Sequence, residues 1–577
     1  MVAPKPDVSP WAVSLDRRWW ATALALTLPT IFIGFQLDDW WQLAYLKEHT
    51  VAESTKNLFQ FVPLPDGVGA ALPWWSDPNL QLAFFRPLSS FLAALDWRLF
   101  GTWAMGYHLH SLLWFVILIG ITRKLFHRIL PFPVAVWATL WFVADDVTIF
   151  PVAWLANRNA LLALVFGMYG LYRYFDGRES GKLWIWAALP GWIGALLSGE
   201  FGLGVFAYVA AYEAFGAKEG WKERLQGLAI PAVLVVSYLL FYRNAGYGAI
   251  ASGAYLDPGH ETLDWLMTAP PRMSALLACL LVGLPADWWM VAEWLKPALV
   301  LGGIIAVGQW IWLWKPLWPQ ISGDERRWLT VMGWGACLAL IPVLSVFPAN
   351  RLLGWAALGG ATAMGVVVRH VRRTGETELD PGPPRRMFIF SLAVATLFAA
   401  PLVWWGQAHL ARTQTQRLEQ RALQAEIRPG DRDVFLLAAP EPLSAYYLPA
   451  IRFMRGESLP IRFTAWSLAM AEQRVTRTGE WSIEIEVIDG RMLDTEFERL
   501  LRRRRVTAGE EFERQGYKVK VLESDDVGPT RVAFSWETAE SPVFLAWRDG
   551  KLRRIELPSV GEELVLPNPG SLWLDAP

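Results

Sequence analysis

Two adjacent carboxylates, Asp38 and Asp39, end an apolar run and are followed at once by Trp40 and Trp41. Like charges this close raise the pKa of one member, which suits the pair to take a proton from an attacking hydroxyl, so Asp38 and Asp39 are the catalytic candidates. A second acidic pair, Asp145 and Asp146, a lone acid in Ser198-Gly199-Glu200, and the arginines Arg86, Arg158 and Arg351 stand at the margins of other apolar segments. His108 and His110 are two residues apart, which on a helix is a turn of about 200°, so the two do not form a dinuclear metal site. His108 alone is a candidate contact for substrate or phosphate. Any one of these acids taken singly is also what closes a helix at a membrane interface. Their value depends on whether the fold brings them together.

The elements that must do so are membrane helices. Of the 577 residues 54% are hydrophobic and 14% aromatic, above the roughly 45 to 50% apolar content of chains that fold in water. Two cysteines, Cys279 and Cys337, lie inside apolar runs and supply neither a disulfide framework nor a CxxC site. A net charge of −1 gives no footprint for nucleic acid. Apolar runs near 19–37, 105–122, 131–144, 151–172, 183–198, 201–216, 227–242, 295–314, 328–346, 351–368 and 387–405 predict about eleven membrane-spanning helices. The first run is too long for a cleavable signal and lacks a small-residue cleavage site. The stretch Arg272 to Pro285 is apolar but short, and reads as an interfacial or re-entrant helix.

With the N-terminus cytoplasmic, the inward loops hold about twenty Lys and Arg, including Lys5, Arg123, Lys182, Arg327 and Arg369, against about nine outside. This asymmetry places Asp38, Asp39, Asp145, Asp146, Arg158, Glu200 and Arg351 all at outward helix ends, where converging charges mark function. The first outward loop, 38–104, carries Phe84-Phe85-Arg86-Pro87-Leu88 and then an amphipathic run, 88–100, expected to lie along the interface with Trp97 and Phe100 as anchors.

From Gly406 the composition changes, with charges throughout and no spanning run. Gln407 to Ile427 reads as a polar helix leaving the membrane, Asp433 to Ala439 as a strand, Pro442 to Phe453 as a helix, and four further strands follow by Trp547. Arg502 to Arg505 reads as a solvated helix face. The expected fold is a polytopic α-helical membrane protein: a transmembrane module over residues 1–405 and a C-terminal, extracytoplasmic α+β domain over residues 406–577.

The order of these features resembles the GT-C superfamily of integral-membrane glycosyltransferases, which use polyprenyl-phosphate or polyprenyl-diphosphate donors. Leu37-Asp38-Asp39 is similar to the family's acidic motif after the first helix. Phe85-Arg86-Pro87-Leu88, Leu99-Phe100-Gly101 and Gly106-Tyr107-His108-Leu109 resemble its loop-to-second-helix pattern. Pro151 to Asn159 is similar to its proline-to-arginine stretch, and Asn350-Arg351-Leu352-Leu353 to its later arginine motif. The likeness is nearest to the protein O-mannosyltransferase and aminoarabinose-transferase type and to the membrane portion of tetratricopeptide-repeat mannosyltransferases.

The resemblance implies transfer of a sugar from a polyprenyl-phosphate donor to an extracytoplasmic glycan, lipid or protein acceptor by inverting displacement. Asp38 or Asp39 would then be the base, and Arg158, Arg351 and Arg86 a phosphate clamp, since a guanidinium meets phosphate oxygens through paired bonds. His108, Asp145, Asp146 and Glu200 would contact substrate. A divalent cation bridging Asp145, Asp146, Glu200 and phosphate is compatible with these oxygen ligands, which leave no spacing signature; no other cofactor is indicated. The expected setting is a bacterial inner membrane with the C-terminal domain in the periplasm. Two other classes are a transporter or flippase for lipid-linked saccharide, for which an internal repeat and charged, broken helices at the midplane are expected, and a non-catalytic assembly subunit.

Overall fold

The structure, a computed structural model, describes residues 10–62, 72–180, 185–373, 382–439, 442–457, 459–537 and 542–569. Lys5, Lys182 and the outer ends of both expected domains lie outside these residues. Helices dominate as far as Gln424, and sheet dominates after Asp433.

Among the described residues six helices are long and apolar enough to cross a membrane: Ala104–Ile129, Trp221–Asn244, Thr262–Val282, Leu295–Gln320, Gly323–Ser345 and Pro383–Gln424. The pair Phe132–Ala144 and Asp146–Ala153, bent by 49°, makes a seventh, while Trp19–Phe32, Ile185–Ser198 and Ala356–Val371 are apolar but shorter. The expected count of about eleven is therefore not reached on length and composition. Leu113, Val233, Val236, Leu240, Ile304, Phe398 and Leu402 all point outward from these helices. So wide an apolar surface is stable against lipid and not against water.

Thr262–Val282 differs from the short stretch expected at 272–285. It runs through Pro270 and Pro271, which read as a helix stop because proline removes backbone donors. Its flanks are fastened to one body: Glu261 and Asp264 pair with Arg503 at 2.5 Å, and Lys296, past its far end, pairs with Glu496 at 3.1 Å.

The two ends of the bundle differ in chemistry. At one end arginines neutralise acids in pairs: Arg123 and His127 on Asp16, Arg178 on Glu213, Arg327 on Glu179, and Arg369 on Glu325. At the other end lie Asp38, Asp96, Arg158, Glu200 and Arg351. A buried tryptophan fixes that second end. Trp355 is 1% exposed, and a Cβ added at Gly167 or Gly204 would meet its ring at 2.4 or 2.3 Å. Its Nε1 donates to the Phe201 carbonyl at 2.7 Å, and the Tyr208 hydroxyl donates to the Trp355 carbonyl at 2.5 Å. The wedge thereby sets the neighbouring turn Asn350–Leu353, which bears Arg351.

Strands β1 (Gln60–Val62), β2 (Gln81–Ala83) and β3 (Gly248–Ile250) form a small antiparallel sheet over this end. In the C-terminal domain the strands are β4 (Asp433–Ala438), β5 (Arg462–Ala465), β6 (Glu472–Gly479), β7 (Ser482–Ile488), β8 (Glu511–Arg514), β9 (Tyr517–Ser524), β10 (Pro529–Trp536), β11 (Val543–Arg548), β12 (Lys551–Ile555) and β13 (Glu563–Leu566). They make a six-stranded antiparallel sheet, β13-β6-β7-β10-β9-β8, and a four-stranded sheet, β12-β11-β4-β5, in which β4 runs parallel to both neighbours. Between them Trp466 stacks on Phe534 at 4.5 Å and on Phe435 at 4.3 Å. The helix Pro442–Met454 follows β4 and lies on the helix Asp38–Glu48.

Arg502 to Arg505 is not the helix face expected. The run is irregular, with Arg502 on Glu510, Arg503 on Glu261 and Asp264, and Arg505 on the Asp526 carbonyl. Four consecutive charges read as solvated when their partners are distant in sequence.

Removing the Trp355 ring leaves a cavity between the two glycine notches. Trp355→Ala is expected to destabilise the protein by about 3–5 kcal/mol, read as a lowered melting temperature in detergent; a loss below about 1 kcal/mol contradicts the wedge.

Candidate active site

The chain leaves its first apolar helix through Gly34 (φ +89°) and Leu37 (φ +44°), and the second of these is a left-handed conformation costly for leucine. The turn aims Asp38 and Asp39 inward at the start of the helix Asp38–Glu48, where the helix dipole favours negative charge. Asp39 is 2% exposed and both of its oxygens accept backbone N–H groups, from Gln36 at 2.8 Å and Ala156 at 2.7 Å. Burial pushes its carboxyl up to about 7, against the pull of those two donors.

Asp38 is half-buried and differently held. Its Oδ1 accepts the hydroxyl of Tyr447 at 2.7 Å. Burial raises its pKa, while the Tyr447 bond and the positive charge of Arg351 pull it back.

The three arginines have three different fates. Arg158 is 5% exposed and is consumed internally, donating to Asp96 and, at 3.1 Å, to the Tyr107 carbonyl. Asp96 also meets Nδ1 of His110 at 2.6 Å, and Trp114 donates to His110 Nε2 at 2.8 Å. A ring accepting at Nε2 carries its proton on Nδ1, so His110 donates to Asp96. Arg158, Asn159, Tyr107 and Asp39 line a cavity of about 30 Å³, the space of a water molecule.

Arg86 forms a two-pronged pair with Glu200, at 3.0 and 3.3 Å, between the rings of Phe59 and Phe84. Tyr242 donates to the same acid at 3.1 Å. Arg351 lies over Trp154 and Phe347, with centroids at 5.4 and 5.7 Å, and among the described residues its guanidinium has no hydrogen-bonded acceptor. Tyr255 stands where the fields of Arg351, Arg86, Asp38 and Glu200 meet, and burial raises its pKa.

Among the described residues Asp145 accepts only the Val147 N–H, at 3.2 Å, and Asp146 accepts the Asn350 side chain at 3.0 Å. Asn350 in turn accepts the Ala286 N–H at 2.8 Å, and its own N–H donates to Asp287 at 3.3 Å. Of the acids considered for a divalent cation, Glu200 is taken by Arg86 and Asp146 by Asn350. Among the described residues no group of three or more His, Cys, Asp or Glu side chains is gathered to hold a metal ion.

The structure therefore pairs Arg86 with Glu200 and places Asp39 and Arg158 on one small cavity, while the charges of Asp38, Arg86, Glu200 and Arg351 all act on Tyr255. Asp146 bonds Asn350, the residue before Arg351, with Asp145 beside it in the chain. His108 is turned away, with Nε2 against the Gly34 carbonyl at 2.9 Å. Asp96, Tyr255, Asp287 and Tyr447 were not anticipated. For Asp96 a signal existed: the single acid of its helix, directly after the apolar run Leu92, Ala93, Ala94 and Leu95. Nothing in the local sequence marks the other three.

No family model and no curated protein matches the sequence. Among solved structures the chain is similar to the archaeal oligosaccharyltransferase AglB from Archaeoglobus fulgidus in complex with an inhibitory peptide and a dolichol-phosphate, at 12% identity and a TM-score of 0.42. That match covers 78% of this chain and 64% of that one, so the chain spans less than two thirds of the neighbour's length. The oligosaccharyltransferase from the same organism tethered with an acceptor peptide containing the NVT sequon matches at 12% identity and a TM-score of 0.40, over 78% of this chain and 64% of that one. A complex with Zn and sulfate matches at 11% identity and 0.39, over 76% and 62%.

Asp96→Ala leaves Arg158 buried without its carboxylate and is expected to cost about 3–5 kcal/mol in thermal unfolding. Asp96→Leu combined with Arg158→Met should recover most of that loss, because no buried charge then remains unpaired. Equal destabilisation by the single and double variants would contradict the pairing.

Proposed function

We propose that this chain is a membrane glycosyltransferase that moves a sugar from a polyprenyl-phosphate donor to an extracytoplasmic hydroxyl acceptor, with inversion at the anomeric carbon. The observation that carries the reading is the juxtaposition of Asp38, whose second oxygen is free of hydrogen bonds among the described residues, with Arg351, whose guanidinium is likewise unbonded. One is a proton acceptor with a vacant lone pair and the other a cation stacked on aromatic rings.

In this reading the acceptor oxygen bonds to the anomeric carbon as the bond from that carbon to the donor phosphate breaks. The acceptor proton passes to Asp38, and the electron pair departs with polyprenyl phosphate, whose growing charge meets Arg351. A polyprenyl tail stays in the bilayer while its phosphosugar sits at the interface, which supports placing the chemistry at helix ends. The geometry favours Asp38 over Asp39 as the base, because both oxygens of Asp39 are committed to backbone donors. It also favours Arg351 over Arg158 as the phosphate contact, because Arg158 is committed to Asp96. Arg86, tied to Glu200, is proposed to line the sugar side with Tyr255.

The expected setting remains a bacterial inner membrane with this end of the bundle in the periplasm. The acceptor is a glycan, a lipid or a protein.

The test is transfer of radiolabelled sugar from a panel of polyprenyl-phosphate sugars into membranes bearing matched amounts of each protein. Asp38→Asn is expected to lower transfer by about 10²–10⁴-fold. Arg351→Ala should lower it by about 10²–10³-fold. Asp39→Asn should act mainly on stability. A folded Asp38→Asn protein with undiminished transfer would refute this assignment of the base.

A further inference from the structure

The C-terminal domain reaches into the candidate site at one atom. Tyr447, 4% exposed, donates its hydroxyl to Asp38 Oδ1 at 2.7 Å, across 409 positions of sequence. The helix that bears it is pinned along its length. Trp41 Nε1 donates to the Tyr446 carbonyl at 3.2 Å, and Lys47 Nζ to the Phe453 carbonyl at 3.0 Å. Arg452, 6% exposed, donates to the carbonyls of Ala422, Ala425 and Ile427 at 2.9 to 3.2 Å. The helix that carries the phenol is thus held by five hydrogen bonds from three side chains, and the phenol is aimed at the one carboxylate proposed to take a proton.

We infer that Tyr447 is a positioning residue for the proposed base: it holds one oxygen of Asp38 and leaves the other for the acceptor hydroxyl. The inference rests on the transferase reading for its functional meaning and on the geometry alone for its placement. A carboxylate with one oxygen bonded to a fixed donor cannot rotate freely, so its open lone pairs face one direction. A donor to the charged form also favours ionisation, which keeps Asp38 ready to accept a proton.

The groups facing Asp38 are few and each comes from a different segment. Tyr447 bonds it, Arg351 attracts it, Asp39 repels it from the next position, and Tyr255 feels its charge. Of these, Tyr447 donates a hydrogen bond. Burial and the charge of Asp38 hold the phenol's own pKa well above its usual value, so it remains a donor throughout the working range. Replacing it with phenylalanine keeps the ring and removes the bond. The folded-state pKa of Asp38 must then rise, and the acid limb of any activity that needs the ionised carboxylate must move to higher pH.

The experiment uses the full chain in lipid nanodiscs and two readouts. In the first, dicyclohexylcarbodiimide, which adds to protonated carboxyls, is applied across a pH series, and the Asp38 adduct is quantified by tandem mass spectrometry. The labelling midpoint in Tyr447→Phe is expected about one pH unit above that of the wild type. Lys47→Met removes a neighbouring attachment of the same helix without touching Asp38, and its midpoint should match the wild type. Equal midpoints in wild type and Tyr447→Phe overturn the inference, as does an equal displacement in Lys47→Met.

In the second readout, sugar transfer by Tyr447→Phe should be depressed at neutral pH and recover as pH rises, while Asp38→Asn combined with Tyr447→Phe is no slower than Asp38→Asn alone. A further loss in the double variant overturns the inference. Absence of transfer from every donor, with the labelling displacement intact, overturns the transferase reading and not the bond.

Discussion

The site is organised around a buried carboxylate that must be satisfied. Asp39 has almost no exposure, and an acid in that position needs donors on both oxygens or it destabilises the fold. It finds them in Gln36, three positions back, and in Ala156, 117 positions on. The second bond draws the irregular stretch after Ala153 against the start of the helix Asp38–Glu48. Once that stretch is fixed, Arg158 must open its helix beside Asp39, and Trp154 must present its ring to Arg351. The adjacent Asp38 is thereby presented at the helix start with one oxygen free of protein donors among the described residues. The satisfied acid is the scaffold for the unsatisfied one.

Charge at this end of the bundle is divided by burial. The deepest arginine, Arg158, is matched to Asp96, which is itself matched to His110, giving a chain of partners that neutralises a cation far from water. Arg86, less deep, takes Glu200 through two bonds, with aromatic faces on both sides. Arg351 keeps no hydrogen-bonded acid among the described residues and rests on Trp154 and Phe347. A guanidinium is weakly hydrated enough to tolerate that aromatic seat, and a group so held can receive an anion without first breaking an ion pair. The opposite end of the bundle shows the contrast, since Arg123, Arg178, Arg327 and Arg369 are all paired there.

The C-terminal domain is part of this arrangement and not an appendage. Trp74 and Trp75 from the first loop donate to the carbonyls of Trp466 and Glu498, and Arg514 donates back to the carbonyls of Trp74 and Ser76. Arg503 and Glu496 hold the two flanks of the helix Thr262–Val282. These contacts fix the orientation from which Tyr447 meets Asp38. The domain also packs with the small sheet β1-β2-β3, whose strands come from two loops far apart in sequence.

Legible in the residues alone were the apolar segments, the change of character after Gly406, the acidic pair that follows the first apolar run, and the main strands and the helix of the C-terminal domain; the structure moves that pair from the end of one helix to the start of the next. The legible features are local properties: a hydrophobic run, a period of two, or two like charges in succession is visible within a dozen residues. The residues alone mislead at Arg272 to Pro285, because Pro270 and Pro271 mimic a stop when neighbouring segments that tolerate them are unseen. They mislead at Arg502 to Arg505 for the same reason, their partners Glu261, Asp264 and Asp526 being far away or in the backbone. They could not rank Asp38 against Asp39, or Arg351 against Arg158, since each pair consists of identical side chains. Long-range contacts settle which member is spent on its surroundings and which is left open. That decision is made by donors and acceptors, Ala156, Asp96 and Tyr447 among them, that reach the site from distant positions in the chain and leave no trace in the residues beside it.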